Sequence, residues 1–349
     1  MLQKDLTGFL EMSKYAGMRE DLVQAGGGNS SYKYARDRMV IKASGYQLAD
    51  LTMRQGYVVV NPQIIAEAFW QDHYAEGVTQ EKAKGLLKKS LVGDGRPSIE
   101  TFLHAVTAAY TLHTHPIAVN ALTCRQNGRD ILYELFPEAL FVPYASPGAK
   151  LAAAFFKAYQ ESGKDASVVF LQNHGLVVSA QDAHTVMEKT EQVVKKAEDY
   201  LEADFTRYHH ATKLYQILGH GVVWTVTDQY VLDAYQACRA AGVVWEQAFC
   251  PDCVVFLGKK MCEAGDDFDR AALEKFSNAY GKPVVFSYKN ALYISAESVR
   301  KALEIQSILS FNAQILSLNQ GCACHLLSES EQDFLLNWEA EKYRAAGSY

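Results

Sequence analysis

The segment Ala105–Pro116, with the sequence AVTAAYTLHTHP, decides how the centre of this chain is expected to fold. Its apolar run predicts a strand, which His113-Thr114-His115-Pro116 closes. Side chains at positions i and i+2 of a strand point to the same face, roughly 7 Å apart at the backbone. The imidazoles of His113 and His115 can therefore converge on one ion. An isolated pair of this kind more often packs or caps a loop, because a metal needs at least a third ligand.

Two further segments supply candidate ligands. Asn173-His174-Gly175 follows the predicted buried strand 167–171, and the glycine lets the backbone approach closely. Pro97-Ser98-Ile99-Glu100 opens a predicted amphipathic helix that continues to Tyr110 and leads into the strand of His113. Three neutral imidazoles and one carboxylate form the ligand set of a catalytic zinc site. Iron, cobalt and manganese accept the same donors, so these residues predict a divalent metal, with Zn²⁺ as the first choice.

Glycine and serine segments around these residues predict an anion site. Gly26-Gly27-Gly28-Asn29 forms a turn before a polar hairpin, and glycines let backbone N–H groups face an anion. Lys42-Ala43-Ser44-Gly45 ends the next strand, and Ser98 starts the helix that carries Glu100. A helix N-terminus binds phosphate through its free N–H groups and its dipole. Taken alone, the glycine run is explained at least as well by a plain loop, and Ser98 by a plain N-cap.

Five motifs occur in a fixed order along the chain. They are Gly28-Asn29-Ser30-Ser31, Lys42-Ala43-Ser44-Gly45, Pro97-Ser98-Ile99-Glu100, His113-Thr114-His115-Pro116 and Asn173-His174-Gly175. In this order they resemble the class II aldolase/adducin family, which includes the fuculose-phosphate and rhamnulose-phosphate aldolases. The resemblance covers roughly residues 5–210, and five ordered motifs are far more specific than any one of them.

The resemblance implies both a fold and a site. The implied fold is α/β (α+β type), with a mostly antiparallel central sheet flanked by helices, commonly assembled as a tetramer with active sites between subunits. His113, His115 and His174 are implied to bind zinc, and Glu100 is implied to be the acid/base that also touches the metal in the resting site. The residues implied to hold the substrate phosphate are Gly28, Asn29, Ser44, Gly45 and Ser98.

The chain departs from the short sugar-phosphate aldolases at two points. Ile99 stands where those enzymes usually have a serine, and fewer residues separate Glu100 from His113. Ser98-Ile99-Glu100-Thr101 with His104 is more similar to the larger aldolase proteins related to fused rhamnulose-phosphate aldolase/dehydrogenase chains. No dinucleotide fingerprint follows residue 210, so a fused dehydrogenase is not expected. His104 lies one helical turn beyond Glu100 and either orients it from behind the metal ligands or hydrogen-bonds locally in the core.

Composition limits the possible partners. The chain has 349 residues and is 49% hydrophobic, which predicts two domains. Its net charge is −6 and the sequence has no broad basic stretch, so nucleic-acid binding is not expected. No signal-like N-terminus and no run of about 20 apolar residues is present, so no membrane span is expected and a cytoplasmic location is predicted.

The seven cysteines are an odd number scattered over a long chain and do not predict a disulfide framework. Cys250-Pro251-Asp252-Cys253 and Cys322-Ala323-Cys324-His325 have metal-like spacing. Cys253, however, begins the predicted apolar strand 253–258, and buried cysteines behave as small hydrophobes. We therefore do not expect a structural zinc site at these cysteines.

Two domains are predicted: a metal-binding catalytic domain at 1–215 and a small α/β domain of unknown role at 222–349. Ser179-Ala180-Gln181-Asp182 predicts a capping box that starts a helix running to about residue 205. The elements predicted after it are a helix at 228–241, a strand at 253–258, a helix at 267–279, strands at 283–287 and 291–295, and helices at 297–319 and 329–345.

The predicted function is that of a metal-dependent aldolase acting on a phosphorylated ketose, through an enediolate that the metal stabilises. Pentulose-phosphate epimerisation, dehydration and decarboxylation of phosphorylated sugar acids use related carbanions and stay open as alternatives. A further alternative is an adducin-like interaction module without catalysis. The combination of Glu100, His113, His115 and His174 argues against that module, because a scaffold needs no such set. The expected partners are a sugar phosphate and further copies of the chain.

Overall fold

A computed structural model describes residues 5–70, 79–162 and 167–338 of the chain, without the side chains of residues 69 and 70. The chain divides into two compact units, Met1–Phe205 and Thr206–Tyr349, here called the N-terminal and C-terminal units. The sequence placed this division between residues 215 and 222. The helix Thr206–Leu218 accounts for the difference, because its buried face packs into the core of the C-terminal unit.

The N-terminal unit is organised around one large sheet. Its strands are β1 (Asn29–Ala35), β2 (Arg38–Lys42), β3 (Tyr57–Val60), β4 (Leu91–Val92), β5 (Tyr110–Thr114), β6 (Leu140–Val142), β7 (Val168–Leu171) and β8 (Gly175–Ala180). Over the described residues their order is β4-β3-β2-β1-β5-β8-β7-β6. All neighbouring pairs are antiparallel except β6 with β7. The predicted mostly antiparallel sheet is confirmed.

Helices cover both faces of this sheet. They are α1 (Thr7–Gly17), α2 (Pro62–Trp70), α3 (Gln80–Ser90), α4 (Thr101–Ala105), α5 (Ile117–Thr123), α6 (Gly128–Leu135), α7 (Ala149–Ser162) and α8 (Ala183–Leu201). Leu176 and Val178 of β8 lie in one core with α1, α5 and α8, whereas Val177 lies in another with α4 and α7. This alternation follows from the two-residue period of a strand and confirms a sheet flanked by helices.

The C-terminal unit is a smaller α/β module. Its elements are α9 (Thr206–Leu218), β9 (Val222–Thr225), α10 (Gln229–Ala241), α11 (Pro251–Leu257), β10 (Cys262–Ala264), α12 (Arg270–Tyr280), β11 (Val285–Tyr288), β12 (Ala291–Ala296), α13 (Val299–Leu318) and α14 (Glu329–Asn337). In the described part of the chain its sheet has the order β10-β11-β12-β9. Helices α9 and α12 pack against one core of this sheet, and α13 contacts β9 and β12.

The strand predicted at 253–258 is wrong, because this segment forms helix α11. Pro251 occupies the first turn, where its missing N–H costs nothing and its fixed φ favours a helix. The apolar residues Cys253, Val254 and Leu257 then form the buried side of a short helix. A short apolar run does not distinguish a buried helix from a buried strand.

Two other predicted boundaries move. The helix predicted from Phe102 to Tyr110 ends at Ala105, and Tyr110 begins β5. The long helix begins after Asp182, whose carboxylate accepts a hydrogen bond from the Thr185 amide at 2.8 Å, while Ser179 belongs to β8. Residues 339–345 of the last predicted helix lie outside the described residues. Among the described helices, none combines the length and the apolar character that a bilayer span requires.

Candidate metal centre

His113 lies near the end of β5, on the sheet face opposite Leu112, which packs into the core with α1 and α8. Its side chain is fully buried. Nδ1 of His113 lies 3.0 Å from the carbonyl oxygen of Leu176 on β8. A carbonyl oxygen only accepts hydrogen bonds, so Nδ1 carries the proton and Nε2 presents a lone pair. This bond to the neighbouring strand holds the ring of His113 in the way that a hydrogen-bonded imidazole is held in metal sites.

Two other imidazoles meet His113. Nε2 of His113 lies 3.1 Å from Nε2 of His115 and 3.3 Å from Nε2 of His174. Burial lowers the pKa of His113 and of His115 to about 3, and it also lowers the pKa of His174. The three rings are therefore neutral at neutral pH, which is the form that binds a metal.

The spacing of these atoms fits a tetrahedral ion. In a tetrahedron the ligand–ligand distance is about 1.6 times the metal–ligand distance, so zinc–nitrogen bonds of about 2.0–2.1 Å give about 3.3–3.4 Å. The nitrogen pairs at 3.1 and 3.3 Å are close to this value. Oε1 of Glu100 lies 3.4 Å from Nε2 of His113, and the four ligand atoms all lie within 4.8 Å of one another. The donor set and its spacing suit one divalent cation.

Glu100 approaches the imidazoles from the residue before α4. Its Oε1 lies 3.7 Å from Nε2 of His174, and its side chain is 15% exposed. The Asn29 side chain hydrogen-bonds to this carboxylate. Burial raises the pKa of Glu100, and the nearby His174, His115 and Lys42 oppose that rise. The carboxylate therefore stands where it can ligate an ion or exchange a proton with a bound molecule.

A tight turn between β7 and β8 places His174. Leu171 and Gly175 pair across this turn, and the amide of His174 donates to the carbonyl oxygen of Leu171 at 3.1 Å. Asn173 has a φ of 54°, a left-handed conformation that asparagine tolerates better than most residues. Nδ2 of Asn120 donates to the carbonyl oxygen of His174 at 3.1 Å. These contacts explain why the Asn-His-Gly order suits this position.

Two glycines are required by close approach to the histidines. A Cβ on Gly175 would lie 2.3 Å from the carbonyl oxygen of Thr114 and 3.2 Å from Cε1 of His113. A Cβ on Gly27 would lie 2.8 Å from Nδ1 of His115. Real Cβ atoms essentially never come within 3.0 Å of such a neighbour, so any side chain at these positions must displace a ligand or its strand.

The adjacent glycines 26 and 27 give a matched test of this packing. Gly27→Ala is expected to weaken zinc affinity by on the order of 10–100-fold, because the added methyl group pushes His115 out of position. Gly26→Ala is expected to have no effect, since a Cβ there meets nothing within 4 Å. Competition with a zinc-binding chelator measures both affinities. Equal affinities for the two variants would contradict this role of Gly27.

The predicted anion-site segments are brought together only in part. Ala43 and Pro97 form an isolated antiparallel bridge, and the Ser44 amide donates to the carbonyl oxygen of Arg96 at 3.0 Å. This bridge places the exposed Ser44-Gly45 turn beside the segment that leads to Ser98 and Glu100. Gly45 has a φ of 92°, which requires glycine in this turn. The Ser44 amide is already hydrogen-bonded to Arg96, so the donors that this turn can offer to an anion are the Ser44 hydroxyl and the Gly45 amide.

Ser98 and Asn29, which were predicted to bind the phosphate, make hydrogen bonds within the protein. Oγ of Ser98 accepts a hydrogen bond from the Glu100 amide at 3.3 Å, but Glu100 and not Ser98 is the N-cap of α4. Helix α4 has five residues, so its dipole is weaker than that of the longer helix predicted there. Gly28 has a φ of 71°, and Asn29 is 1% exposed and lies opposite His113 in the β1–β5 pairing. The buried side chain of Asn29 therefore hydrogen-bonds to the carboxylate of Glu100.

The side chain of His104 follows the alternative of a local hydrogen bond in the core, while its backbone amide donates to the carbonyl oxygen of Glu100 at 3.1 Å. Its side chain is fully buried, and Nδ1 lies 2.8 Å from Oγ of Ser31 on β1. Nε2 of His104 has no hydrogen-bond partner among the described residues. Burial lowers the pKa of His104 well below its usual value. The ring thus links α4 to β1.

Lys42 is a site residue whose role the sequence did not reveal, although it stands in one of the five motifs. Its Nζ donates to the carbonyl oxygens of Tyr46 at 2.8 Å and Gly26 at 3.5 Å. Burial lowers the pKa of Lys42, and the nearby Glu100 raises it. Asn120, which holds the His174 backbone, was also missed because nothing in a helix sequence marks a contact to a distant turn.

Three imidazoles and one carboxylate that could hold a divalent ion lie at strand ends of a helix-flanked, mostly antiparallel sheet. Residues 9–201 match the family of the class II aldolase and adducin N-terminal domain, which is more than half of the chain. The chain therefore belongs to this family.

Individual relatives are distant. The N-terminal class II aldolase domain of a conserved protein from Thermoplasma acidophilum is 26% identical, with a TM-score of 0.50, and the match covers 58% of this chain and 95% of that one. L-fuculose-1-phosphate aldolase from Thermus thermophilus is 17% identical, with a TM-score of 0.37, over 60% of this chain and 95% of that one.

One curated relative is the uncharacterized oxidoreductase YuxG of Bacillus subtilis (strain 168). It is 26% identical over 226 residues, which cover 57% of this chain and 30% of that protein. The chain therefore spans about a third of the length of this relative.

Proposed function

We propose that this protein is a metal-dependent aldolase that cleaves or forms a carbon–carbon bond in a phosphorylated ketose. The observation that carries the proposal is the convergence of Glu100 with the Nε2 atoms of His113, His115 and His174. Family membership supports it independently, because the family includes class II aldolases. A module that only binds other proteins has no use for a buried carboxylate aimed at three neutral imidazoles.

The three imidazoles would hold the ion, and the carboxylate would complete its shell when no substrate is bound. When bound, a divalent ion supplies Lewis-acid polarisation of a substrate carbonyl and stabilises the negative charge of an enediolate. The hydrogen bond to Leu176 would hold the ring of His113 in the orientation that binds the ion, and the turn at Asn173 would place His174 beside it. Zn²⁺ is the proposed ion because imidazole nitrogen and carboxylate oxygen at tetrahedral spacing are its usual ligands.

Glu100 would move the proton. Deprotonation of the carbon beside a ketose carbonyl requires a base that is close to the reacting atom and can hold the proton until the bond is cleaved or formed. Burial raises the pKa of Glu100, which makes its carboxyl a better proton carrier near neutral pH. The hydrogen bond from Asn29 and the charge of Lys42 hold the side chain and favour its ionised resting state.

The substrate phosphate would lie at the Ser44-Gly45 turn, near Ser98 and the Gly28-Asn29 loop. The Ser44 hydroxyl and the Gly45 amide would bind the phosphate, because this turn is exposed and lies beside the segment that leads to Glu100. The ammonium of Lys42 lies between this turn and the glycine loop, so it adds positive charge. With Ile99 in place of a serine and α4 so short, Ser44 and Gly45 carry more of this binding than Ser98 does.

Product analysis tests the proposal. The zinc-loaded protein is incubated with a panel of ketose 1-phosphates and phosphorylated sugar acids, and the mixtures are followed by NMR. We expect dihydroxyacetone phosphate and an aldehyde to appear from at least one ketose 1-phosphate. Epimerised sugar, a dehydrated product or carbon dioxide without an aldehyde would replace the aldolase by one of the alternatives. No turnover of any compound by the metal-loaded protein would leave the interaction module as the better account.

Ser44→Ala is expected to raise the KM for the phosphorylated ketose by about 10-fold or more, because a hydrogen bond to a charged group is lost. The KM for the unphosphorylated form of the same ketose should not change, since the hydroxyl then has no anion to bind. Steady-state kinetics on both substrates measure the ratio. An equal KM for the phosphorylated ketose in the variant and the wild type would remove the phosphate from this turn.

A further inference from the structure

The C-terminal unit contains a pair of cysteines that the metal centre does not use. Cys250-Pro251-Asp252-Cys253 begins helix α11, with Cys250 at the N-cap and Cys253 in the first turn. Their Sγ atoms lie 3.4 Å apart, within a thiol–thiol hydrogen bond. Formation of a disulfide requires the two sulfurs to approach from this spacing to about 2.05 Å.

The two thiols differ in access. Cys250 is partly exposed, whereas Cys253 is fully buried. Burial raises the pKa of Cys253 to about 12, and the neighbouring Cys250 adds to this rise. A molecule arriving from solvent therefore meets Cys250 first and does not reach Cys253. An outer thiol that reacts and an inner thiol that resolves is the division of labour found in Cys-X-X-Cys redox motifs.

Within the described residues, this pair of sulfurs lacks a third ligand with which it could share an ion. Among the described residues, the groups of His, Cys, Asp and Glu that are close enough to share an ion do not include Cys250 or Cys253. Cys322 and Cys324 are exposed and do not join this pair in such a group. Two thiols in contact, without a third ligand among the described residues, are placed for chemistry with each other.

We propose that Cys250 and Cys253 form a thiol–disulfide exchange site whose substrates are small-molecule disulfides. The thiolate of Cys250 attacks one sulfur of the disulfide, forms a mixed disulfide and releases the other half as a thiolate. This thiolate takes up the proton that Cys250 lost. Sγ of Cys253 then attacks Sγ of Cys250, and its proton passes to the second leaving thiolate. Overall, two cysteine thiols lose two electrons and the substrate disulfide gains them, yielding two thiols.

Glutathione disulfide is the probe for the test, applied to the full reduced chain without free reductant. Mass spectrometry of the wild type should show a loss of about 2 Da, and peptide mapping should place a disulfide between Cys250 and Cys253. Cys253→Ser should instead accumulate a glutathione adduct on Cys250, because the resolving thiol is gone. Cys250→Ser should leave Cys253 unmodified over the same time. The double substitution of Cys322 and Cys324 by serine is the matched control and should react as the wild type does.

Three results would overturn the site. A stable glutathione adduct on Cys250 of the wild type would mean that Cys253 does not resolve it. A new disulfide confined to Cys322 and Cys324 would move the chemistry elsewhere. Zinc bound by both thiols of the purified protein would make them metal ligands. If Cys253→Ser fails to fold, Cys253→Ala keeps the test decisive, since alanine replaces a buried small apolar group.

Discussion

Glu100→Gln is expected to lower turnover of the ketose phosphate by roughly 10²–10⁴-fold, the contribution typical of a positioned acid/base. Glutamine keeps the shape of the side chain and can still accept the hydrogen bond from Asn29, but it cannot carry the proton. The three imidazoles remain, so most of the bound zinc should remain as well. Steady-state kinetics and elemental analysis of the same preparation measure both quantities.

Asn29→Asp serves as the comparison for this variant. It keeps the size of the residue that contacts Glu100 but places a second carboxylate beside it, so it should raise the pKa of Glu100 further and slow turnover less severely. A Glu100→Gln enzyme that turns over near the wild-type rate would remove the proton-carrying role from Glu100. A variant that loses its zinc as well would show that the carboxylate acts mainly as a ligand.

His113→Ala is expected to reduce bound metal from about one ion per chain to nearly none after dialysis, because two imidazoles and one carboxylate make a much weaker site. His174→Ala should behave in the same way. The matched control is His184→Ala, since His184 is 76% exposed on α8 and pairs with Glu188 in the next turn, away from the metal centre. Elemental analysis of protein purified without chelator gives the ratio of metal to chain.

Circular dichroism distinguishes loss of a ligand from loss of the fold in these variants. His113 is fully buried and its alanine variant leaves a cavity, whereas His174 sits in a turn and is 14% exposed. The His174 variant is therefore the cleaner of the two. Full metal content in folded forms of both variants would contradict the assignment of the three histidines to one ion.

Local spacing indicated two of the four candidate metal ligands. His113 lies in β5 and His115 one residue beyond the end of this strand, so the two-residue spacing predicted that both rings face the same side. His174 and Glu100 are far from them in sequence, and it was the ordered motifs that assigned them to the same site. The β5–β8 pairing, which sets His113 opposite Val177, brings His174, the residue before β8, close to His113.

The contacts that position these ligands were not predictable from the sequence. The bond from Asn29 to Glu100 depends on the β1–β5 register, and that from Asn120 to His174 depends on how α5 packs. Helix α11 was missed because its apolar residues are too few to define a period, although Pro251 was a start signal. Homo-oligomer formation, the cytoplasmic location and the domain roles stay predictions.

X-ray absorption at the zinc edge, on the full-length protein loaded with one equivalent of Zn²⁺, tests the metal centre most directly. Three imidazole ligands and one carboxylate or water predict a single shell of nitrogen and oxygen at about 2.0–2.1 Å, with the outer-shell scattering typical of imidazole rings. His174→Ala should lose that signal. A sulfur shell at about 2.3 Å would place the zinc on cysteines instead and contradict the assignment of Glu100, His113, His115 and His174 as its ligands.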